Sequence, residues 1–208
     1  MSKPRITVID YGMGNLWSVV SAFTYIGCSA SVTNDPETIE RADTLVLPGV
    51  GSFRRAMLSL RETRIENAIL EAVVSKGRRI LGICLGMQLL GSRGTEDGMT
   101  TGLNLIPAPV ERFDFRGIGS YKVPHIGFNL VRGGRDSQLF RKLPEEADFY
   151  FVHSYRMLPE GLPGITATCR YGAEFLAGYE HEGVSATQFH PEKSQTNGLT
   201  LLRNFVSQ

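Results

Sequence analysis

Up to Leu90, the chain alternates between short β-branched runs and stretches whose apolar residues recur at helical spacing. The strand-like runs are residues 5–10, 31–33, 44–47 and Arg79–Cys84. Strands separated by helices need crossover connections, and such connections produce a parallel sheet with helices on its faces. The alternation therefore predicts an α/β fold with a parallel sheet.

Three helices are predicted in this half of the chain. The first runs from Leu16 to a stop at Gly27, and the third begins with Leu85–Leu90. The second begins at a capping box formed by Thr63 and Glu66. The turns at the carboxyl ends of parallel strands meet at one edge of the sheet, where ligands bind in such folds. We therefore expect the turns after the first, third and fourth strands to converge.

The second half has a different rhythm, because its strand-like runs are joined by short connections. These runs are residues 103–113, 121–131, 147–157, 165–171, 175–181 and 184–189, before an amphipathic helix at 199–206. Short connections favour antiparallel pairing. We expect a central mixed sheet with helices on both faces, an antiparallel part packed alongside, and one domain over residues 1–208.

Composition excludes several classes of protein. The 22 Lys and Arg balance the 21 Asp and Glu, so a basic surface for nucleic acid is not expected. The three cysteines Cys28, Cys84 and Cys169 are too few and too scattered for a disulfide framework or a zinc site. No apolar run is long enough to span a membrane, and the N-terminus lacks the apolar core of a signal peptide. We expect a cytoplasmic protein.

The strongest local motif is Gly82-Ile83-Cys84-Leu85-Gly86, which lies between a strand pattern and a helix pattern. A nucleophile flanked by glycines at this junction is typical of a nucleophile elbow, where the side chain projects from a sharp turn. The helix N-terminus stabilises a thiolate, and the Leu85 amide can donate to an oxyanion. The alternative is a small buried cysteine in a strand–helix turn.

A cysteine nucleophile needs a base and a group that orients the base. His190 directly follows a strand pattern, and Glu192 is close enough in sequence to hold the imidazole. The glycine-rich turn at Val50 and Gly51 is a candidate for a second oxyanion donor. A structural histidine and an ordinary turn are the alternatives for these two features.

Six motifs together carry a resemblance to a known family. The chain resembles the class I glutamine amidotransferases through PGVGSF at 48–53, GICLGMQLL at 82–90 and QFHPEKS at 188–194. It is most similar to the glutaminase subfamily that serves imidazole glycerol phosphate formation in histidine biosynthesis, through IDYGMGN at 9–15, VPHIGFN at 123–129 and YFVHSY at 150–155. The resemblance implies a three-layer, flavodoxin-like α/β fold and no cofactor or metal.

The resemblance also implies roles for individual residues. Cys84 attacks the side-chain amide of L-glutamine, His190 transfers protons and Glu192 orients His190, so that a thioester forms and is hydrolysed to glutamate. Val50, Gly51 and Leu85 border the oxyanion site. The implied glutamine-binding residues are Gly49, Gln88, His153, Ser154 and Tyr155, and those near a partner interface are Asn15 and Lys193.

A partner is expected because a glutaminase serves synthesis only if its ammonia is passed on. The chain contains no Walker A motif and no complete dinucleotide fingerprint, so the acceptor site should lie on a second polypeptide. In the resembled subfamily this is a (β/α)8-barrel synthase, which forms a heterodimer over Cys84. An oxyanion amide near Val50 and Gly51 that turns into place on partner binding would explain activation.

Two stretches depart from the subfamily pattern and leave the acceptor open. Residue 128 is Phe where Trp is usual, and residues 91–98 differ from the usual Ser-Glu-Glu-Gly form. Similar departures occur in relatives that supply ammonia for amidination of surface-polysaccharide sugars. A γ-glutamyl cysteine hydrolase that needs no partner and a binding module with a relic triad are two further interpretations of the same motifs.

Overall fold

The computed structural model describes residues 3–116, 119–134 and 136–208. Its strands are β1 (Arg5–Ile9), β2 (Ser29–Thr33), β3 (Thr44–Gly49), β4 (Arg79–Cys84), β5 (Arg93–Gly94), β6 (Thr100–Thr101), β7 (Pro109–Arg112), β8 (His125–Arg132), β9 (Glu146–His153), β10 (Tyr155–Arg156), β11 (Ile165–Tyr171), β12 (Ala173–His181) and β13 (Val184–Thr187). Its α-helices are α1 (Leu16–Tyr25), α2 (Pro36–Arg41), α3 (Phe53–Glu62), α4 (Ile65–Leu70), α5 (Leu85–Leu90) and α6 (Gln195–Val206). A π-helical turn at Glu71–Ser75 continues α4, and a 3₁₀ turn at Pro191–Lys193 precedes α6.

Within the described residues, nine strands form one mixed sheet in the order β2-β1-β3-β4-β13-β12-β11-β8-β9. The first five strands in this order are parallel, and the remaining pairs are antiparallel. A smaller four-stranded sheet has the order β10-β7-β5-β6. The predicted α/β fold with a mixed sheet is confirmed.

The longest antiparallel strands belong to the main mixed sheet. Strands β8, β9, β11 and β12 hydrogen-bond edge to edge and extend the main sheet, so they do not pack alongside it. The run at 184–189 pairs antiparallel with β12, as expected, and on its other side β13 pairs parallel with β4. The reason is the tight hairpin from β12, which reverses the chain before it reaches β4.

Two apolar cores cover the two faces of the main sheet. One core contains buried side chains of α2, α3, α4 and α5, among them Met57 and Ile69. The other contains side chains of α1 and α6, among them Phe23 and Phe205. Full burial of such side chains stabilises the fold by about 1.5–3 kcal/mol each. The result is a three-layer arrangement with helices on both faces, as predicted.

The predicted capping box at the start of the second helix is wrong. Thr63 ends α3, and its hydroxyl donates to the Ser59 carbonyl at 2.7 Å. The residue that caps α4 is Arg64, which has a left-handed backbone conformation. Glu66 accepts a hydrogen bond from Arg61 at 3.1 Å. The Thr63–Glu66 pattern resembles the start of a helix, but Thr63 belongs to the end of α3, and α4 begins two residues later.

In the described part of the chain, every helix is too short or too polar to cross a lipid bilayer.

Candidate active site

The junction between β4 and α5 has the geometry of a nucleophile elbow. Strand β4 ends at Cys84 and α5 begins at the next residue, so the turn has no spare length. Cys84 has φ 55° and ψ −111°, a backbone conformation that side-chain-bearing residues rarely adopt. A Cβ atom at Gly86 would overlap the Leu47 carbonyl, so only glycine lets α5 approach β3 this closely. The sharp strand-to-helix turn that the motif predicts is observed.

Parallel pairing brings distant residues to this turn. In the register of β13 with β4, Thr187 lies beside Ile83, so the residues after Thr187 continue beside Cys84. On the other side of β4, Gly49 at the end of β3 is the register partner of Cys84. The expected convergence at the carboxyl edge of the sheet is therefore observed.

His190 and Glu192 form a buried pair. The imidazole Nδ1 lies 2.7 Å from Glu192 Oε1, and the two side chains are only 4% and 2% exposed. Since a carboxylate only accepts, His190 Nδ1 carries the proton in this bond. The buried His190 Nε2 has no well-formed hydrogen bond among the described residues, and the ring shares a cavity with the Cys84 thiol.

The surroundings of His190 favour its charged form. Burial alone lowers the pKa of His190, but interaction with the Cys84 sulfur and the hydrogen bond and charge of Glu192 outweigh burial. Together they raise its pKa from 6.5 to about 9. Such an imidazolium beside a sulfur can stabilise a thiolate and later donate a proton to a leaving group.

A cavity of about 300 Å³ opens above the sulfur. Its walls are Val50, Gly51, Cys84, Leu85, Gln88, Glu96, Pro124, Val152, His153, Ser154, Tyr155 and His190. Nine of the thirteen site residues predicted from the sequence are among them. The structure thus gathers most of the predicted site into one cavity.

The remaining four do not line the cavity. Glu192 stands behind His190. Gly49 lies beneath, where the Tyr11 hydroxyl occupies the space that a Cβ would need. Asn15 is exposed and caps α1 by accepting from the Ser18 amide at 3.4 Å. Lys193 is also exposed, with its Nζ 6.0 Å from the Tyr150 ring centroid.

The Tyr155 carbonyl is hydrogen-bonded to two polar side chains of the cavity wall. It accepts hydrogen bonds from His153 Nδ1 at 2.8 Å and from Gln88 Nε2 at 3.1 Å. A carbonyl cannot donate, so the proton of His153 lies on Nδ1 and its Nε2 accepts from His125 Nδ1 at 3.0 Å. Burial lowers the pKa of His125 to about 4 and that of His153 to about 3. Both rings are therefore neutral.

Sequence reasoning missed several residues of the site. Glu96 and Pro124 line the cavity from loops, and Glu96 also accepts from the Phe53 amide at 2.8 Å. Gln188 contacts the Cys84 sulfur, although the sequence motif that contains it indicated no role for it. The available signal was its position two residues before His190, directly after a strand. Among the described residues, no group of three His, Cys, Asp or Glu side chains could hold a metal ion.

The arrangement combines a strained cysteine, a buried imidazole–carboxylate pair and the N-terminus of a helix around one small cavity. Such a set can attack an electrophilic carbonyl carbon, stabilise the resulting oxyanion and protonate the group that leaves. A covalent acyl-transfer reaction through Cys84 is the chemistry that these groups suit.

Comparison with known proteins agrees with this chemistry. The model of the family "Glutamine amidotransferase class-I" matches residues 7–208. The HisH subunit of imidazole glycerol phosphate synthase from Geobacter sulfurreducens is 46% identical over 204 residues, covering 97% of each chain. That from Syntrophotalea carbinolica is 48% identical over 203 residues, covering 96% of this chain and 98% of its own.

Solved structures agree in fold. A glutamine amidotransferase from Thermotoga maritima aligns with a TM-score of 0.65 at 18% identity, covering 100% of both chains. PurLQS from Thermotoga maritima aligns with a TM-score of 0.76 at 17% identity, covering 99% of both. By the family match and the full-length similarity together, this chain belongs to the class I glutamine amidotransferases and, within them, to the HisH family of imidazole glycerol phosphate synthase subunits.

Proposed function

We propose that this chain is the glutaminase subunit of a two-chain imidazole glycerol phosphate synthase. It hydrolyses glutamine to glutamate and ammonia and passes the ammonia to a separate synthase subunit in histidine biosynthesis. The observation that carries this proposal is the meeting of Cys84 with the His190–Glu192 pair in one cavity. The similarity to HisH subunits over nearly the whole chain supports the acceptor pathway and a single domain over residues 1–208.

The first half-reaction forms a thioester. The Cys84 thiolate attacks the side-chain amide carbon of glutamine, and the C=O bond becomes a C–O⁻ bond in the tetrahedral intermediate. When this intermediate collapses, the C–N bond breaks and the His190 imidazolium donates its Nε2 proton to the leaving nitrogen. Ammonia departs and a γ-glutamyl thioester remains on Cys84.

The second half-reaction hydrolyses the thioester. His190, now neutral, removes a proton from a water molecule that attacks the thioester carbon. The C–S bond breaks, glutamate leaves, and the thiolate–imidazolium pair is restored. Throughout, the Glu192 carboxylate accepts from His190 Nδ1 and keeps Nε2 directed at the reacting groups.

Backbone amides stabilise the oxyanion. Leu85 is the first residue of α5, so its amide has no partner within the helix and lies next to the nucleophile. The turn at Val50 and Gly51 also lines the cavity and follows Gly49, which lies against Leu85. Gly51 has φ 105°, which leaves this turn free of the usual side-chain restriction. We assign the second donor to this turn, which rotates into place when the partner binds.

The cavity has the size and polarity for a free amino acid. Both N–H bonds of Gln88 are used, one by the Tyr155 carbonyl and one by Gln188 Oε1 at 3.0 Å. The Gln88 Oε1 is thus the atom available to accept from an ammonium group of the substrate. His153, Ser154 and Tyr155 form the facing wall, which supports their assignment to glutamine binding.

The partner surface is assigned to the exposed side of β8 and β9 near the cavity mouth. Ile126 and Phe128 of β8 are 61% and 51% exposed, and their register partners are Val152 and Tyr150 of β9. Val152 also lines the cavity. Adjacent exposed apolar residues of this kind are typical of protein–protein interfaces. Lys193, beside Tyr150, extends this surface, while Asn15 is assigned to the interface from its motif.

Two measurements test the proposal. Glutamate release is measured with and without the (β/α)8-barrel synthase subunit of the same organism and its acceptor substrate, and we expect strong stimulation by both. The Cys84→Ala variant should lose glutamate release, whereas synthesis by the complex from added ammonia should survive. Equal glutaminase rates with and without the partner would contradict the activation model.

Competing functions give different results in the same assays. A partner-independent γ-glutamyl hydrolase would cleave glutamine fully on its own, and a binding module would not cleave it at all. If the chain supplied ammonia for sugar amidination instead, the histidine-pathway synthase subunit would not stimulate its glutamate release. Phe128, in place of the usual Trp on the proposed interface, is the feature that makes the sugar pathway worth testing.

A further inference from the structure

A buried amide lies against the nucleophilic sulfur. Gln188 Nε2 is 3.8 Å from Cys84 Sγ, within hydrogen-bonding range for sulfur, and the Gln188 side chain is fully buried. This contact follows from the sheet, because Thr187 pairs with Ile83 and the next residue on each strand is therefore Gln188 beside Cys84. Neither half-reaction of glutamine hydrolysis has so far required this amide.

The orientation of the amide is fixed by its neighbours. The Tyr155 carbonyl only accepts, so the Gln88 atom that faces it at 3.1 Å is Nε2. This nitrogen donates its second N–H to Gln188, so the Gln188 atom at 3.0 Å is the oxygen Oε1. The Gln188 atom that faces the sulfur is consequently Nε2, a donor.

We propose that Gln188 donates an amide N–H to the Cys84 sulfur and stabilises its thiolate, with Gln88 as the positioning residue that holds this donor in place. The assignment deepens the proposed glutaminase function and rests on it for the reaction that the thiolate performs. A donor to sulfur acts in both half-reactions, since the thiolate is the nucleophile in the first and the leaving group in the second. Stabilising the departing thiolate favours thioester hydrolysis.

Several groups near the sulfur also titrate and must be kept apart from this effect. His190, with Glu192 behind it, is the dominant partner, and burial and the nearby Cys84 raise the pKa of Tyr11, which keeps its hydroxyl neutral. The remaining described titratable groups on the cavity wall are Glu96, His153 and Tyr155. Replacement of Gln188 changes none of these side chains.

The experiment measures the alkylation of Cys84 by iodoacetamide as a function of pH, followed by mass spectrometry of the full-length chain. Gln188→Met keeps the approximate side-chain volume and removes the donor. A hydrogen bond to a charged group shifts an ionisation equilibrium roughly tenfold or more, which corresponds to about one pH unit. We therefore expect the alkylation midpoint of Gln188→Met to rise by about one unit.

Controls separate this effect from general disturbance. Asn204→Leu removes another buried amide, which donates to the Leu139 carbonyl at 3.0 Å, and should leave the midpoint unchanged. Cys84→Ala identifies the alkylation signal. If Gln188→Met does not fold, Gln88→Met provides the test, because it frees the Gln188 amide to rotate and should raise the midpoint in the same direction.

An unchanged midpoint in a folded Gln188→Met variant, or in folded Gln88→Met where the first does not fold, would overturn the assignment. Alkylation needs no turnover, so this result is independent of whether the chain hydrolyses glutamine. Wild-type protein that is alkylated with the expected pH dependence but releases no glutamate even with the partner subunit and its acceptor substrate present would instead contradict the proposed function alone.

Discussion

Backbone strain at Cys84 should be measurable as stability. The combination of φ 55° and ψ −111° is open to glycine and costly for any residue with a Cβ. We therefore predict that Cys84→Gly loses less stability relative to Cys84→Ala than an ordinary buried Ala→Gly change costs. Comparing these two variants removes the contribution of the sulfur, because both lack it.

The magnitude follows from three contributions. A residue held in such a conformation costs about 1–3 kcal/mol, a strain that glycine avoids. An ordinary replacement of buried Ala by Gly loses about 0.5–1 kcal/mol through backbone entropy and about 0.8 kcal/mol through the lost methyl group. Relief of strain therefore leaves Cys84→Gly between about 1 kcal/mol less stable and about 2 kcal/mol more stable than Cys84→Ala.

The assay is urea unfolding with linear extrapolation, in parallel with a matched control pair. Ala186 is fully buried in the regular part of β13, so wild type against Ala186→Gly gives the cost without strain relief. The difference between the two pairs should be about 1–3 kcal/mol in favour of Cys84→Gly. Equal losses in both pairs would show that the elbow stores no strain.

Three other perturbations test the site. Glu192→Gln should lower the pKa of His190 from about 9 and move the alkaline limb of the glutaminase pH–rate profile to lower pH. Because this pKa is raised from 6.5, protonation of His190 adds stability to the folded chain. This stability is complete below about pH 6.5 and is lost as the pH rises through about 9. Urea titrations across this pH range measure the change in the free energy of unfolding. Tyr11→Phe removes a buried hydroxyl that has no partner among the described residues, so its free energy of unfolding should be unchanged or up to about 3 kcal/mol higher, and a loss would show that the hydroxyl is paired. Gly86→Ala should lower the free energy of unfolding by about 3 kcal/mol or more, because its Cβ overlaps the Leu47 carbonyl. Calorimetry measures this loss, and a smaller loss would contradict the prediction.

The centre of the fold was predictable because local sequence requirements coincide there. The predicted bounds of β4 and the predicted start of α5 match the structure, since glycines on both sides of Cys84 are needed for the sharp turn. Helix α3 was not among the three predicted helices, although its buried residues Phe53, Ala56, Met57 and Leu60 recur at helical spacing. The error at Thr63 arose because one residue can suit the end of one helix and the start of another.

Local sequence patterns did not predict which strands pair with each other. An apolar run such as residues 184–189 fits a parallel or an antiparallel neighbour equally well, and long-range packing decides which. Glu96 and Pro124 enter the cavity from loops whose paths depend on tertiary contacts. The motifs therefore indicated the residues that react, while the contact of Gln188 with the sulfur needed the register between β13 and β4.

That register is set far from the cavity. Between β12 and β13 the chain turns through Glu182 and Gly183 alone, with φ values of 45° and 81°, as in the two-residue turns that fix the alignment of hairpins. A slip of β13 by one residue would send every side chain to the opposite face of the sheet. Gln188, which directly follows β13, would then leave Cys84. The β4–α5 turn thus positions Cys84, whereas the positions of Gln188 and His190 beside it depend on the hairpin at the opposite end of β13.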